Sequence, residues 1–120
     1  MQPGPLPPFA ATGRQVFIAV KDAMRVPADH SGDDFAAQTR QALQNIVEVL
    51  KEAGARPEHI VRMTWYVVDK REYLAAGREV GQAFREIIGS FNAAMTAVEV
   101  KALIEDRAKV EIEVTAVIPD

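Results

Sequence analysis

Cysteine does not occur anywhere in the sequence. Its absence removes disulfides, thiolate metal ligands and a cysteine nucleophile together, and says nothing about compartment. Histidine is scarce: His30 and His59 are the two present, each in a turn-rich stretch beside an acid, Asp29 and Glu58. Neither has a second ligand at metal spacing, so both read as loop or cap residues. No apolar run approaches the roughly 20 residues of a membrane span, and the Pro-rich start lacks the basic-then-apolar layout of a signal peptide. A cytoplasmic protein with no membrane partner is the expectation. A surplus of positive charge is missing too: 14 basic and 17 acidic residues are spread along the chain, for a net charge of -3. With no basic stripe to follow a phosphate backbone, no nucleic-acid partner is expected. Zinc-ligand spacing, a phosphate-cradling glycine loop and a Ser/His/Asp arrangement are likewise absent, so the sequence calls for no metal and no cofactor.

What is present is an ordinary globular composition, 48% hydrophobic and 26% charged over 120 residues, which implies one core and one domain. A domain this small leaves much of its surface in solvent, and an extended sheet then needs a second layer or a partner chain over its open face. Residues 1–12, with Pro3, Pro5, Pro7 and Pro8 around Gly4, cannot form a regular ladder and read as a flexible arm. Residues 13–120 read as the single domain.

Within that domain, Gln15 to Val20 is a short apolar, β-branched run suited to a buried strand, and Lys21 to Asp33 is a turn-rich connection. Phe35, Thr39, Ala42, Leu43, Ile46, Leu50 and Ala53 then recur at three- and four-residue steps, predicting a helix capped by Asp33 or Asp34 and ended by Gly54. From Ile60 to Val68 the pattern alternates, with Val61, Met63, Trp65 and Val67 on one face and Arg62, Thr64 and Tyr66 on the other. Asp69 offers a cap to a second helix carrying Tyr73, Gly77, Val80, Phe84 and Ile87 or Ile88, closed by Gly89. Ala94 to Val100 and Val110 to Ile118 complete the chain as strands. The order β, α, β, α, β, β predicts an α/β (α+β) fold, a mixed sheet with two helices packed on one face and a half-polar face left uncovered.

Three features of this pattern bear on chemistry. Glu111 and Glu113, two apart on a strand, point the same way and repel unless solvated or paired. At a subunit interface such a pair can hold one proton and serve acid/base chemistry, or it forms a wet sheet face accompanied by Lys109 and Arg107. Trp65 and Tyr66 face opposite sides, Trp65 toward packing and Tyr66 toward a pocket or a cross-sheet hydrogen bond. Gly77 and Gly81 each cost about 1 kcal/mol against alanine inside a helix; they allow close approach to the sheet or are tolerated surface glycines.

The segments DDFAAQTRQALQNIVEVLKEAGA, HIVRMTWYVVD and TAVEV…AKVEIEVTAVIP together resemble the Rid/YjgF family of reactive imine deaminases, also known as L-PSP endoribonucleases. The similarity runs in one register from about Gly13 to the C-terminus. It implies a chorismate-mutase-like fold assembled as a homotrimer, with inner sheets forming a barrel-like core and small-molecule clefts between subunits. Family members hydrolyse enamine or imine acids to keto acids and ammonia. In that chemistry an arginine binds the substrate carboxylate, a terminal-strand glutamate handles water, and a tyrosine and a small polar or glycine residue complete the pocket.

Carried over by position, Glu113 matches the glutamate and is the expected catalytic residue, and Thr96 keeps a hydroxyl in the pocket. The arginine falls on Met95, the small Ser-Gly pair falls on Ala19 and Val20, and Phe9 in LPPFAAT is the aromatic nearest the missing tyrosine. Met95, Thr96, Phe9, Ala19 and Val20 are thus the expected substrate-binding set. A charge-assisted hydrogen bond to a carboxylate is worth roughly 1.5–3 kcal/mol, so the methionine argues against a typical 2-iminopropanoate deaminase and for a more apolar or uncharged ligand. Two readings stand side by side: a hydrolase-like deaminase or hydratase using Glu113, and a non-catalytic trimeric protein that binds a small molecule or regulates through the same cleft. The acidic charge balance and the lack of paired histidines count against a ribonuclease.

Overall fold

A computed structural model describes residues 13–20, 34–90 and 93–119, with the backbone alone described at 15–20. The proline arm, Phe9, His30 and the Lys21 to Asp33 connection lie outside the described residues. The elements are β1 (Arg14–Val20), α1 (Phe35–Glu52), a 3-10 turn (Pro57–His59), β2 (Ile60–Val67), α2 (Lys70–Ala75), α3 (Gly77–Ile87), β3 (Ala94–Glu99) and β4 (Val110–Ile118).

The three-and-four spacing of apolar residues produces α1. Asp34, in extended conformation, accepts a 2.7 Å hydrogen bond from the Ala37 N–H, filling one of the donor positions that a helix start leaves open. At the other end Gly54 sits at φ +79°, a conformation that side chains resist. Phe35, Ala42, Leu43, Ile46 and Leu50 are buried, and each of the large aliphatic groups contributes about 1.5–3 kcal/mol by leaving water. Ala53, expected in the stripe, is instead the exposed C-cap residue.

The strands form one mixed sheet in the order β1-β4-β2-β3. β4 pairs antiparallel with β1 and with β2, while β3 runs parallel to β2, the arrangement a helical crossover from β2 to β3 requires. Along β4, Val110, Ile112, Val114 and Ala116 are buried whereas Glu113 is exposed and Glu111 and Thr115 are half-buried. The apolar face receives α1 and α3. In β2 the alternation departs from expectation at its start: the pairing shifts register between Ile60 and Arg62, so Ile60 is buried and Val61 is only half-buried. A bulge adds one residue and moves the neighbouring side chain off its face.

The second helix is broken. Ala76, at φ -91° and ψ 12°, separates α2 from α3, just before Gly77, whose flexibility makes helix continuation costly. Asp69 caps α2 through the Arg71 N–H (2.9 Å), and Gly89, at φ +111°, closes α3. α2 has six residues, too few to persist alone. Tertiary contacts hold it: Tyr73 packs edge-on against Phe35 and Trp65 (ring centroids 6.1 and 6.3 Å), Glu99 of β3 accepts from the Lys70 N–H (2.8 Å), and Glu72 pairs with Lys109 (3.2 Å).

Gln38 is a polar group in the core that the apolar pattern does not announce. Its side chain is buried, donates to the Arg107 carbonyl (2.9 Å) and accepts from the Lys109 N–H (2.7 Å), which fixes the segment entering β4. Gln38→Ala removes both bonds. A loss of about 1–3 kcal/mol is expected, measurable as a lowered urea midpoint with an unchanged slope.

Candidate functional site

The pairing of the strands aligns the candidate residues in rows across the sheet. Ala19 of β1 lies opposite Glu113 of β4, Glu113 opposite Thr64 of β2, and Thr64 opposite Thr96 of β3. Three of the positions expected from the sequence, Ala19, Glu113 and Thr96, therefore stand at one level. Val20 lies in the adjoining row with Ile112, Trp65 and Ala97, and Met95 in the row on the other side with Ile18, Val114 and Met63. Phe9 falls outside the described residues.

Side-chain alternation then divides these positions between two faces. Met63, Trp65, Ile112 and Val114 are buried beneath the helices, and Met95 shares their side. Thr64, Thr96 and Glu113 occupy the opposite face together with Arg62, Tyr66, Val98, Glu111 and Thr115, the face that no described helix covers. On it, Arg62 donates to the Thr115 hydroxyl (3.3 Å). The Tyr66 hydroxyl makes no hydrogen bond among the described residues, so the cross-sheet bond considered for it does not form there. The structure thus joins Glu113 to Thr96 and to the Ala19 backbone, and sets Met95 on the other side of the sheet within the same chain.

Met95 borders a second feature. Between α2, α3 and β3 lies an open groove of about 360 Å³ whose walls include Trp65, Tyr73, Leu74, Phe84, Arg85 and Met95. Leu74 and Met95 are 69% and 49% exposed, high values for large apolar side chains. Gly77 and Gly81 also line it. A Cβ on Gly77 would meet nothing within 4 Å, and one on Gly81 would meet the Arg85 guanidinium; these glycines leave space open and do not seat the helix on the sheet. Sequence reasoning about strands missed this groove. Its signal is the i, i+4, i+8 spacing of Gly77, Gly81 and Arg85, one helical side stripped of bulk and ending in a cation.

His59 is a cap: its Nδ1 accepts from the Arg56 N–H (3.0 Å). Among the described residues no three acids, histidines or cysteines converge to hold a metal, and no helix is long and apolar enough to cross a membrane.

The fold has known relatives. The chain belongs to the endoribonuclease L-PSP family, whose model matches residues 8–118. A protein of the conserved Rid family from Yersinia pestis, YyfB, superposes with a TM-score of 0.72 and is 35% identical over 88% of this chain and 80% of its own. A RutC family protein from Pasteurella multocida is 34% identical over 84 residues, which is 70% of this chain and 64% of the relative. The 2-iminobutanoate/2-iminopropanoate deaminase of Escherichia coli is 36% identical over 84 residues, again 70% and 64%. The chain spans just under two thirds of the length of these two curated relatives.

The division of faces makes two similar valines behave differently. Val114 is 1% exposed and Val98 40% exposed. Val114→Asp is expected to abolish cooperative unfolding, because an unpaired carboxylate in the core costs several kcal/mol. Val98→Asp should leave the single chain folded, with unchanged far-ultraviolet circular dichroism.

Proposed function

We propose that this protein is a Rid-type hydrolase acting on a small reactive imine or enamine in a cleft between subunits of a homotrimer, with Glu113 as its acid/base. The observation that carries the reading is the Ala19–Glu113–Thr64–Thr96 row: a solvent-accessible carboxylate level with two threonines on a sheet face that needs a covering partner. In the reaction, Glu113 accepts a proton from water as the water oxygen bonds to the imine carbon. The proton passes to nitrogen, and the resulting amino alcohol collapses to a carbonyl, expelling ammonia. The similarity to the 2-iminobutanoate/2-iminopropanoate deaminase of Escherichia coli supports the reaction class. Met95 stands where the family resemblance puts a carboxylate-binding arginine, so the smallest imino acids find no fork on β3. The exposure of Met95 beside an apolar groove favours the second reading, a trimeric binding or regulatory protein using the same surfaces.

Homotrimer formation is tested by light scattering, with a mass near three chains expected for the wild type and near one chain for Val98→Asp; a monomeric wild type counts against the assembly. Ammonia release is then measured across imines generated from several amino acids. We expect little from 2-iminopropanoate and, for a turned-over substrate, a fall of about 10²–10⁴-fold in Glu113→Gln. Glu111→Gln is measured in parallel because Glu111 stands two residues away on the same face of β4. Full turnover in both variants and in the double variant removes the carboxylates from the mechanism, and no turnover of any imine favours the binding protein.

A further inference from the structure

The groove on the helix side of the sheet has a composition that its strand residues alone do not suggest. Trp65 reaches it from β2, Tyr73 and Leu74 from α2, Phe84 and Arg85 from α3, and Met95 from β3. The walls are apolar apart from Arg85, the one cation among them. Its guanidinium lies over Gly81 and is engaged in no hydrogen bond or ion pair among the described residues. The adjacent acid, Glu86, is bonded to Arg40 and Gln82, each at 3.0 Å; the Gln82 amide, Arg40 and, last, the charge of Arg85 hold its carboxyl below the usual range. A second polar group is also unmatched. Trp65 is 2% exposed, and its indole N–H has no partner among the described residues, although buried donors are normally satisfied.

We infer that this groove binds a monoanion with a sizeable apolar body, its charged head held by Arg85 and its body laid against Trp65, Tyr73, Leu74 and Met95. An unpaired guanidinium at the rim of an apolar trough matches one negative charge, and the trough rewards carbon beyond it. Each buried methylene adds roughly fourfold to affinity, so a three-carbon acid leaves most of the wall unfilled where an aryl or branched-alkyl acid covers it. Arg85 thereby offers an anion contact on the helix side of the sheet, in a groove that favours larger acids. The inference stands apart from the hydrolase reading, because it concerns the side of the sheet away from Glu113.

The intact protein is titrated with 3-phenylpropanoate, propanoate and the uncharged 3-phenylpropanamide. Trp65, the single tryptophan, reports by its fluorescence and calorimetry provides an independent isotherm. Saturable binding of 3-phenylpropanoate is expected, with propanoate and the amide each at least about tenfold weaker. Arg85→Gln should weaken the acid about ten- to a hundredfold and bring acid and amide level, while Arg85→Lys should recover part of the difference. Gly77→Leu, at a position where a side chain meets open space, should remove binding of both with the circular dichroism unchanged. Equal affinity for acid and amide, no effect of Arg85→Gln, or no saturable binding of the acid at millimolar concentration overturns the inference. Ammonia release is scored separately: Glu113-dependent turnover with Arg85-independent binding sinks this inference and leaves the hydrolase standing, and Arg85-dependent binding without turnover does the reverse.

Discussion

β4 is bonded on both edges and carries opposite chemistry on its two faces. Its residues alternate between Val110, Ile112, Val114 and Ala116 on one side and Glu111, Glu113 and Thr115 on the other. A slip of one residue against β1 or β2 would turn two carboxylates under α1 and lift Val110, Ile112 and Val114 into water, and the two penalties act together. That makes the register of the whole sheet nearly unavoidable once β4 is placed. Gln38 settles the placement from outside the sheet, because its amide holds the chain at Arg107 and Lys109 immediately before β4 begins.

From that register the two faces acquire distinct roles. The polar face gathers Glu113, Thr64 and Thr96 at one level on rigid strands, where side-chain position is set by ladder hydrogen bonds and not by loops. The apolar face seats the helices, but the break at Ala76 turns α2 away from α3 and leaves a trough over Trp65. Tyr73, Glu99 and Glu72 tie α2 to α1, β2, β3 and the residue before β4, so the trough is a held shape and not a gap left by poor packing. Met95 on β3 and Glu113 on β4 face opposite sides of the sheet, with β2 between them.

The sequence made the periodic elements legible because burial itself is periodic. Phe35 through Leu50 reads as an amphipathic helix capped by Asp33 or Asp34, of which the structure uses Asp34, and Val110 to Ile118 as a two-faced strand. The resemblance to the Rid family likewise led to the correct family. Features that depend on long-range pairing were not legible. Gln38 looks like an ordinary helix polar residue until its partners, some seventy positions away, are known. The bulge after Ile60 comes from pairing with β4, and Ala76, a strong helix former, gives no hint of the helix break. The opposition of Met95 and Glu113 required the relative register of three strands. Arg85 escaped notice because the family pattern directs attention to strands, and this cation arrives from a helix.

β3 lies at the end of the sheet, with a bonded neighbour on one side only among the described strands, and all six of its residues are exposed. Such a border is a template for adding further chains, and it carries Met95 and Val98 with a single acid, Glu99, to discourage growth. Any association that caps β3 thereby also protects the protein from aggregation. Changes along this strand are consequently felt first in solubility and cellular lifetime, before ligand affinity enters.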